Sequence, residues 1–462
     1  MEQPRDQWGS TVGFVLAAAG SAIGLGNLWK FPFITWENDG GAFVLVYLIC
    51  IAAVGLPIMM AEVLIGRHTQ KSPVGALKEA VGPLWGLVGA WGVLAGFTIL
   101  SYYTVVAGWS LYYFAQTMGW SLTGFPAGFP AAEAFNVQAG HGPTQIGLSL
   151  TFMVATVGVV YFGIHQGIER VARLFLPILF GILLLLLFSA LTMEGAGEAV
   201  SFIFRPSFDE LGLDGVLEAL GHSFFTLSLG MGAMITYGSY LGQRQSVVNA
   251  SALIVVLDTL IALAATVIMF AVIFTVPGMD QEVAPSTVGM LFISLPRLFY
   301  EVVPFGGVLG PAFYLLVALA ALTSTISLLE VVVSYFIDER GWSRPRATLL
   351  SGGGIFVVTA LAALSFGAVP ALSTFEVFVG KAGFFSTLDH FASNWQLPVG
   401  GLFITLAAGW FMTRDQTEGE LVDGTEPAWF RYGVWKFFIR YVAPVAVAAI
   451  LVAVAFFGED FT

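Results

Sequence analysis

Eleven long apolar stretches run along the chain, near 10–35, 41–66, 84–117, 145–163, 169–191, 215–241, 248–276, 305–337, 347–367, 384–412 and 433–457. Short polar segments separate them. Many reach or exceed the roughly 20 residues that a helix needs to cross hydrocarbon. The pattern predicts an all-α integral membrane protein with 11 transmembrane helices in a single domain, 1–462. One polar stretch, about 118–144, is long enough for a small loop domain. The first apolar run is not expected to be a cleaved signal peptide: it is long, glycines cut it, and Lys30 and Pro32 interrupt it.

Composition agrees with the pattern. Hydrophobic residues make up 57% of the chain and charged residues 10%, against roughly 25% charged in soluble domains. The 54 glycines and 41 phenylalanines fit helices packed closely in lipid, where small residues let backbones approach. Of 18 Lys and Arg residues, all but Lys30, Arg205, Arg297 and Lys381 fall on the side of the N-terminus. The positive-inside rule then predicts a multi-pass protein of the cell inner (plasma) membrane with a cytoplasmic N-terminus. Cys50 stands alone, so no intrachain disulfide is available.

The informative feature is where two helices break. The first span reads Ala19-Gly20-Ser21-Ala22-Ile23-Gly24-Leu25-Gly26-Asn27, and the sixth reads Phe225-Thr226-Leu227-Ser228-Leu229-Gly230-Met231-Gly232. Both place Gly-x-Gly near mid-membrane beside hydroxyl residues, five spans apart. This predicts two inverted five-helix repeats, about 10–191 and 215–412, each opening with a broken helix, with an extra helix at about 433–457. Paired broken helices are the sequence pointer to a transporter binding site. Backbone unwound at membrane depth must line a polar cavity, because lipid satisfies none of its hydrogen bonds. Freed carbonyls suit a cation, and half-helix N-termini suit an anionic group. The competing reading is that the glycines serve helix packing alone.

Lys30, Glu62, His222, Asp258, Glu330 and Asp389 fall within or at the edges of predicted spans. Ionisable groups there are costly unless paired or wet. Lys30 and Asp389 carry opposite charges near the same end of their spans, so they either pair across a vestibule or snorkel separately. Asp258 supplies either a carboxylate to a cation site or a packing hydrogen bond. Glu330 is expected to pair with Arg344 or Arg346. Thr323-Ser324-Thr325 in the eighth span offers hydroxyls to a hard cation, or simply bonds back to its own helix.

These residues resemble a known family. The stretch 20–32, continued by Glu37-Asn38-Asp39-Gly40-Gly41-Ala42-Phe43, is similar to the first-helix signature of neurotransmitter:sodium symporters. Tyr102-Tyr103, the stretch 225–240 and Leu322-Thr323-Ser324 fall where that family carries its other motifs. Eleven spans resemble the bacterial hydrophobic amino acid transporters among its members. The resemblance implies a Na⁺-coupled symporter rather than an enzyme, with an amino acid and sodium ions as partners in a lipid bilayer. It implies no nucleic acid partner and function as a monomer.

What the resemblance implies can be placed by residue. One Na⁺ would meet Ala22, Asn27, Thr226 and Asp258 together with the substrate carboxylate. The other would meet Gly20, Ile23, Ala320, Thr323 and Ser324. Leu25, Gly26 and Tyr103 would hold the substrate carboxylate, and Ala22, Phe225 and Thr226 its amine. Phe225 would be an aromatic lid, and Ser21, Gly24, Ser228, Met231, Ser324 and Leu328 would complete the pocket. Lys30 and Asp389, with His222 beside them, match the outer gate. Arg5, Trp8, Tyr240 and Asp338 match the inner gate. Gly167 and Pro177 resemble a motif that lets the fifth helix unwind.

Four positions depart from, or discriminate within, the family pattern. Gly24 stands where monoamine carriers place an aspartate, which leaves room and calls for a substrate that brings its own carboxylate. A hydrophobic or aromatic L-amino acid is expected, with Trp, Tyr, Phe, Leu and Met all open. Lys30 replaces an arginine, which turns a bidentate gate into a point charge. His222 replaces a glutamine and would make gating sensitive to pH near 6–7. Asp258 replaces an asparagine, with Ala262 where a chloride-independent relative has glutamate; this carboxylate would remove the need for chloride. The alternatives are a Na⁺-dependent carrier of another small carboxylate-bearing amine, a non-accumulating amino acid sensor or channel, and a membrane hydrolase. The hydrolase lacks paired-His metal spacing and a Gly-x-Ser-x-Gly elbow.

Overall fold

The computed structural model describes residues 6–208, 211–243, 245–275, 287–422, 424 and 426–461. Those residues form helices and connecting turns with no strand among them. Eight helices are long and apolar enough to cross a membrane: Gly41–Thr69, Pro83–Thr123, Gly142–Tyr161, Ile164–Leu191, Val247–Thr275, Gly306–Arg340, Arg344–Leu364 and Tyr432–Phe457. Two bent pairs raise the number to ten: Thr11–Ala22 with Gly26–Glu37, bent by 49°, and Phe384–Phe411 with Arg414–Leu421, bent by 104°. The sixth expected span is not among these ten. It is split into Leu213–Thr226 and Ala233–Gly238 with residues 227–232 between them. Of the eight continuous helices, Gly306–Arg340 is the most enclosed and Ile164–Leu191 the least. On the latter, Leu184 and Phe188 face outward, as lipid contact requires.

The 118–144 stretch is not a separate loop domain. The third span continues helically to Thr123, and the short helix Ala131–Gly140 follows. Trp120 explains the continuation: its ring packs edge-on against Phe125, Phe129 and Tyr300 at 4.9–5.6 Å.

Local sequence accounts for both breaks. The first span starts at Ser10, whose hydroxyl caps the helix by accepting from the Gly13 N–H at 2.9 Å. It ends at Ile23, which is extended (ψ 96°). In the sixth span Ser228, Gly230 and Gly232 have φ of 55°, 81° and 74°. Three left-handed residues in six prevent a right-handed helix from continuing. Glycine also allows neighbours to approach. A Cβ on Gly400 would lie 2.0 Å from the Gly230 carbonyl oxygen, so the tenth span abuts the break directly.

Gly400→Ala is therefore expected to lower the thermal midpoint of the purified protein by several degrees, from a packing cost of about 1–3 kcal/mol. Gly353→Ala, where a Cβ would meet nothing within 4 Å, should leave it unchanged.

Candidate functional site

The two breaks face each other and exchange hydrogen bonds. The Ser228 hydroxyl donates to the Ser21 carbonyl at 3.0 Å. Ser21 donates from its own hydroxyl to Ser327 on the eighth span at 2.7 Å. Glu62, fully buried on the second span, accepts from the Gly230 N–H at 2.7 Å. Protein groups thus satisfy backbone that lipid could not.

Beside this contact lies a small cavity. Of the twelve residues expected to contact a substrate, all but Leu25 line it, joined by Ile99, Ser327 and Leu397. Leu25 lines a neighbouring cavity with Lys30, Tyr102, Val106, Phe385 and Asp389. Gly26, Tyr103 and the Phe225 ring line both, so Phe225 separates the two spaces. The Leu25 N–H donates to the Tyr103 hydroxyl at 2.9 Å, which brings two groups expected to meet a carboxylate together at the rim. The direction of a Cβ on Gly24 is not open: it would lie 2.6 Å from Ser324 Oγ and 2.7 Å from Tyr103 Oη. The expected room at Gly24 is therefore occupied by two polar oxygens of this chain.

Oxygen-bearing groups cluster at two places. In one, the Asn27 amide donates to Asp258 Oδ1 at 2.8 Å and accepts from the Gly24 N–H at 3.0 Å. The Thr226 hydroxyl reaches the two Asp258 oxygens at 3.0 and 3.2 Å. All three side chains are buried, and Thr226 and Ala22 line the cavity. In the other, Ser324 Oγ lies 3.5 Å from the Gly20 carbonyl oxygen and 3.3 Å from that of Ala320, and Thr323 donates to Ala320 at 2.9 Å. A Cβ on Gly20 would approach Leu176 at 2.9 Å and Thr323 at 3.1 Å, so glycine permits this approach. Ile23 sits at the end of the same half-helix. Both clusters are hard oxygen donors with at most one carboxylate, the donor type of an alkali or alkaline-earth cation rather than a thiophilic metal. Among the described residues no group of three or more His, Cys, Asp or Glu side chains forms a metal cage.

The gate residues divide. Arg5 lies outside the described residues. The Trp8 indole donates to the Tyr237 carbonyl at 2.9 Å, and the Trp8 backbone N–H to the Tyr240 carbonyl at 3.1 Å, pinning the segment before the first span over the second half of the sixth. The Tyr240 hydroxyl donates to Glu330 at 2.6 Å, and Arg344, not Arg346, pairs with Glu330 at 2.7 and 3.0 Å. Asp338 accepts from the Ser72 N–H at 2.6 Å, at the start of the helix Pro73–Ala80. At the opposite end Lys30 and Asp389 line one cavity but form no direct ion pair. The Lys30 ammonium donates to the Phe461 carbonyl and lies 5.3 Å from the centre of the Phe225 ring. Asp389 accepts from Ser393 at 3.3 Å. His222 lies beside them, 6.5 Å from the Phe225 ring, but bonds to neither: it stacks on Phe31 at 5.4 Å and lies 5.8 Å from Tyr47, and neither ring nitrogen has a hydrogen-bond partner.

Sequence reasoning missed Glu169. Its carboxylate is 1% exposed and binds the Gly9 N–H at 2.8 Å, His165 at 3.0 Å and Arg173 at 2.5 Å. It ties the start of the first span to the wide-turn helix Ile164–Glu169, which contains Gly167. The i,i+4 spacing to His165 and Arg173 was visible; the link to Gly9, 160 residues away, was not.

Glu62→Leu is expected to destabilise the protein by about 1–3 kcal/mol, because it leaves the Gly230 N–H buried without an acceptor. Glu62→Gln, which keeps an acceptor, should lose less. Thermal unfolding of purified variants checks the order.

Comparison with known proteins fits this geometry. The model of the sodium:neurotransmitter symporter family matches residues 5–125 and 135–459. The uncharacterized sodium-dependent transporter YhdH of Bacillus subtilis is 37% identical over 449 residues, covering 96% of this chain and 97% of its own length. The sodium-dependent dopamine transporter of Bos taurus is 24% identical over 96% of this chain and 69% of its own. The crystal structure of MhsT in complex with L-phenylalanine superposes with a TM-score of 0.87 at 38% identity, covering 97% of this chain and 99% of MhsT. A family match over nearly the whole chain, on a fold whose two broken helices meet at a small cavity, makes this chain a multi-pass membrane transporter of the sodium:neurotransmitter symporter family.

Proposed function

We propose that this transporter imports a hydrophobic or aromatic L-amino acid by alternating access, coupled to two Na⁺ and independent of chloride, as a monomer in the plasma membrane. The observation that carries the reading is the Asn27–Asp258–Thr226 cluster beside a cavity rimmed by the Leu25 N–H and the Tyr103 hydroxyl. A cation held there would touch a substrate carboxylate bound at the rim, so each ligand would strengthen the binding of the other. MhsT, in whose structure L-phenylalanine is bound, shares this fold over nearly its full length.

In this reading the first Na⁺ binds Ala22, Asn27, Thr226, Asp258 and the substrate carboxylate. The second binds Gly20, Ile23, Ala320, Thr323 and Ser324. Met231 and Leu328 give the side-chain pocket an apolar, adaptable wall. The Asp258 carboxylate balances charge near the ions, which makes a chloride ion unnecessary. Phe225 closes the pocket toward Lys30, and release toward Trp8 breaks its bonds to Tyr237 and Tyr240. The driving force suffices. At ~100 mV each Na⁺ gains about 2.3 kcal/mol, and a tenfold gradient adds about 1.4 kcal/mol. Two ions give roughly 7 kcal/mol, about a 10⁵-fold concentration ratio.

Uptake of radiolabelled Trp, Tyr, Phe, Leu and Met into liposomes is the test. At least one should accumulate only under an inward Na⁺ gradient, and uptake should persist when gluconate replaces chloride. Uptake indifferent to the gradient would exclude symport and favour a channel; collapse in gluconate would exclude chloride independence. Gly24→Asp should abolish amino acid uptake without creating amine uptake, because the new side chain meets Ser324 and Tyr103. Retained amino acid uptake in that variant would overturn the assignment of the pocket.

A further inference from the structure

The last helix ends at Phe457. Gly458 then takes a left-handed φ of 71°, and the chain doubles back over the Lys30 end of the site. The Glu459 N–H donates to the Ala453 carbonyl at 3.3 Å. Asp460 pairs with Lys381, accepts from the Asn394 amide at 2.8 Å and lies 3.2 Å from His390 Nδ1. The Phe461 N–H donates to Asn394 Oδ1 at 2.9 Å, and its carbonyl accepts from Lys30. The Phe461 ring is 5% exposed and packs against Gly221, where a Cβ would lie 3.3 Å from the ring.

These contacts do not serve one helix. They join the second half of the first span through Lys30, the first half of the sixth through Gly221, the tenth through His390 and Asn394, and the segment before it through Lys381. The elements so joined surround the entrance to the cavity on the Lys30 side. The segment also bonds the Lys30 ammonium, which lines the same cavity as Asp389.

We propose that residues 459–461 form a strap that holds the Lys30 side of the transporter shut and must detach for that side to open. The strap rests on the transport reading of the site and adds a closing element to the Phe225 lid. Opening separates the halves of the first and sixth spans from the tenth. It therefore exchanges the Phe461 ring burial, its two backbone bonds and the Asp460 pairs for water. A strap weakened at Phe461 or Asp460 shifts the population toward the state open on the Lys30 side.

The test reads opening directly, by thiol accessibility. Cys50→Ala removes the native cysteine. Val106→Cys then places a reporter in the cavity that Lys30 and Asp389 line, at a position now 1% exposed. The purified protein is treated with a charged methanethiosulfonate reagent in Na⁺ and in K⁺. Phe461→Ala, and separately the milder Asp460→Asn, should speed reporter modification by roughly three- to tenfold, the population shift that the loss of one buried contact produces. Leu122→Cys, 83% exposed on the third span, should react at the same rate in every background, and Ile355→Cys, fully buried on the ninth span, should stay unmodified in every background, which shows that the variants remain folded. Unchanged modification of Val106→Cys in both strap variants, or no modification in any background while Leu122→Cys reacts, overturns the strap. The assay needs no transported substrate. Faster labelling without amino acid uptake would keep the strap and remove the substrate reading, and uptake with unchanged labelling would do the reverse.

Discussion

The backbone of this protein has no water to bond with at membrane depth, and the rest of the structure follows from that constraint. Two helices are broken where lipid would leave carbonyls and N–H groups bare. They persist because each break supplies the other's partners. Ser228 reaches across to Ser21, Glu62 holds the Gly230 N–H, and Tyr103 takes the Leu25 N–H. Several of these groups, Ser21, Ser228 and Tyr103 among them, also line the small cavity between the breaks.

The oxygen clusters illustrate how close packing sets that chemistry. Asn27, Asp258 and Thr226 come from three separate spans yet form one hydrogen-bonded group. Gly20 permits the first span to lie against Thr323 and Leu176, and Gly24 permits it to lie against Ser324 and Tyr103. A single methyl group at either position would push apart the helices that carry these oxygens. The same logic closes the ends. Trp8 folds over Tyr237 and Tyr240 on one side, while Phe225, Lys30 and the residues after the last helix cover the other.

Much of this was legible in the chain. The run lengths located the spans, and glycines beside hydroxyl residues located both breaks, because those features depend only on local composition and on the cost of polar groups in lipid. The pairing of Glu330 with an arginine of the next segment was equally readable, since the two lie 14 residues apart. The sixth span was readable as a broken helix, but the number of residues that unwind was not, because that extent depends on the neighbours that accept its bonds. The third span ran further than its apolar stretch, since Trp120 finds aromatic partners that are distant in sequence.

Sequence by itself determined the class of molecule, the position of its breaks and the residue types available at them. It did not determine which residues meet. Lys30 and Asp389 are opposite charges at the same depth, and sequence offered them to each other; the fold instead delivers the Phe461 carbonyl to Lys30 from 431 positions away. Gly24 read as open space, and the fold fills that space with two oxygens from the third and eighth spans. Glu169 carried no sign of its bond to Gly9. In each case the deciding quantity is a distance between segments far apart in the chain. Such distances are set by how whole helices pack, not by any local pattern of residues.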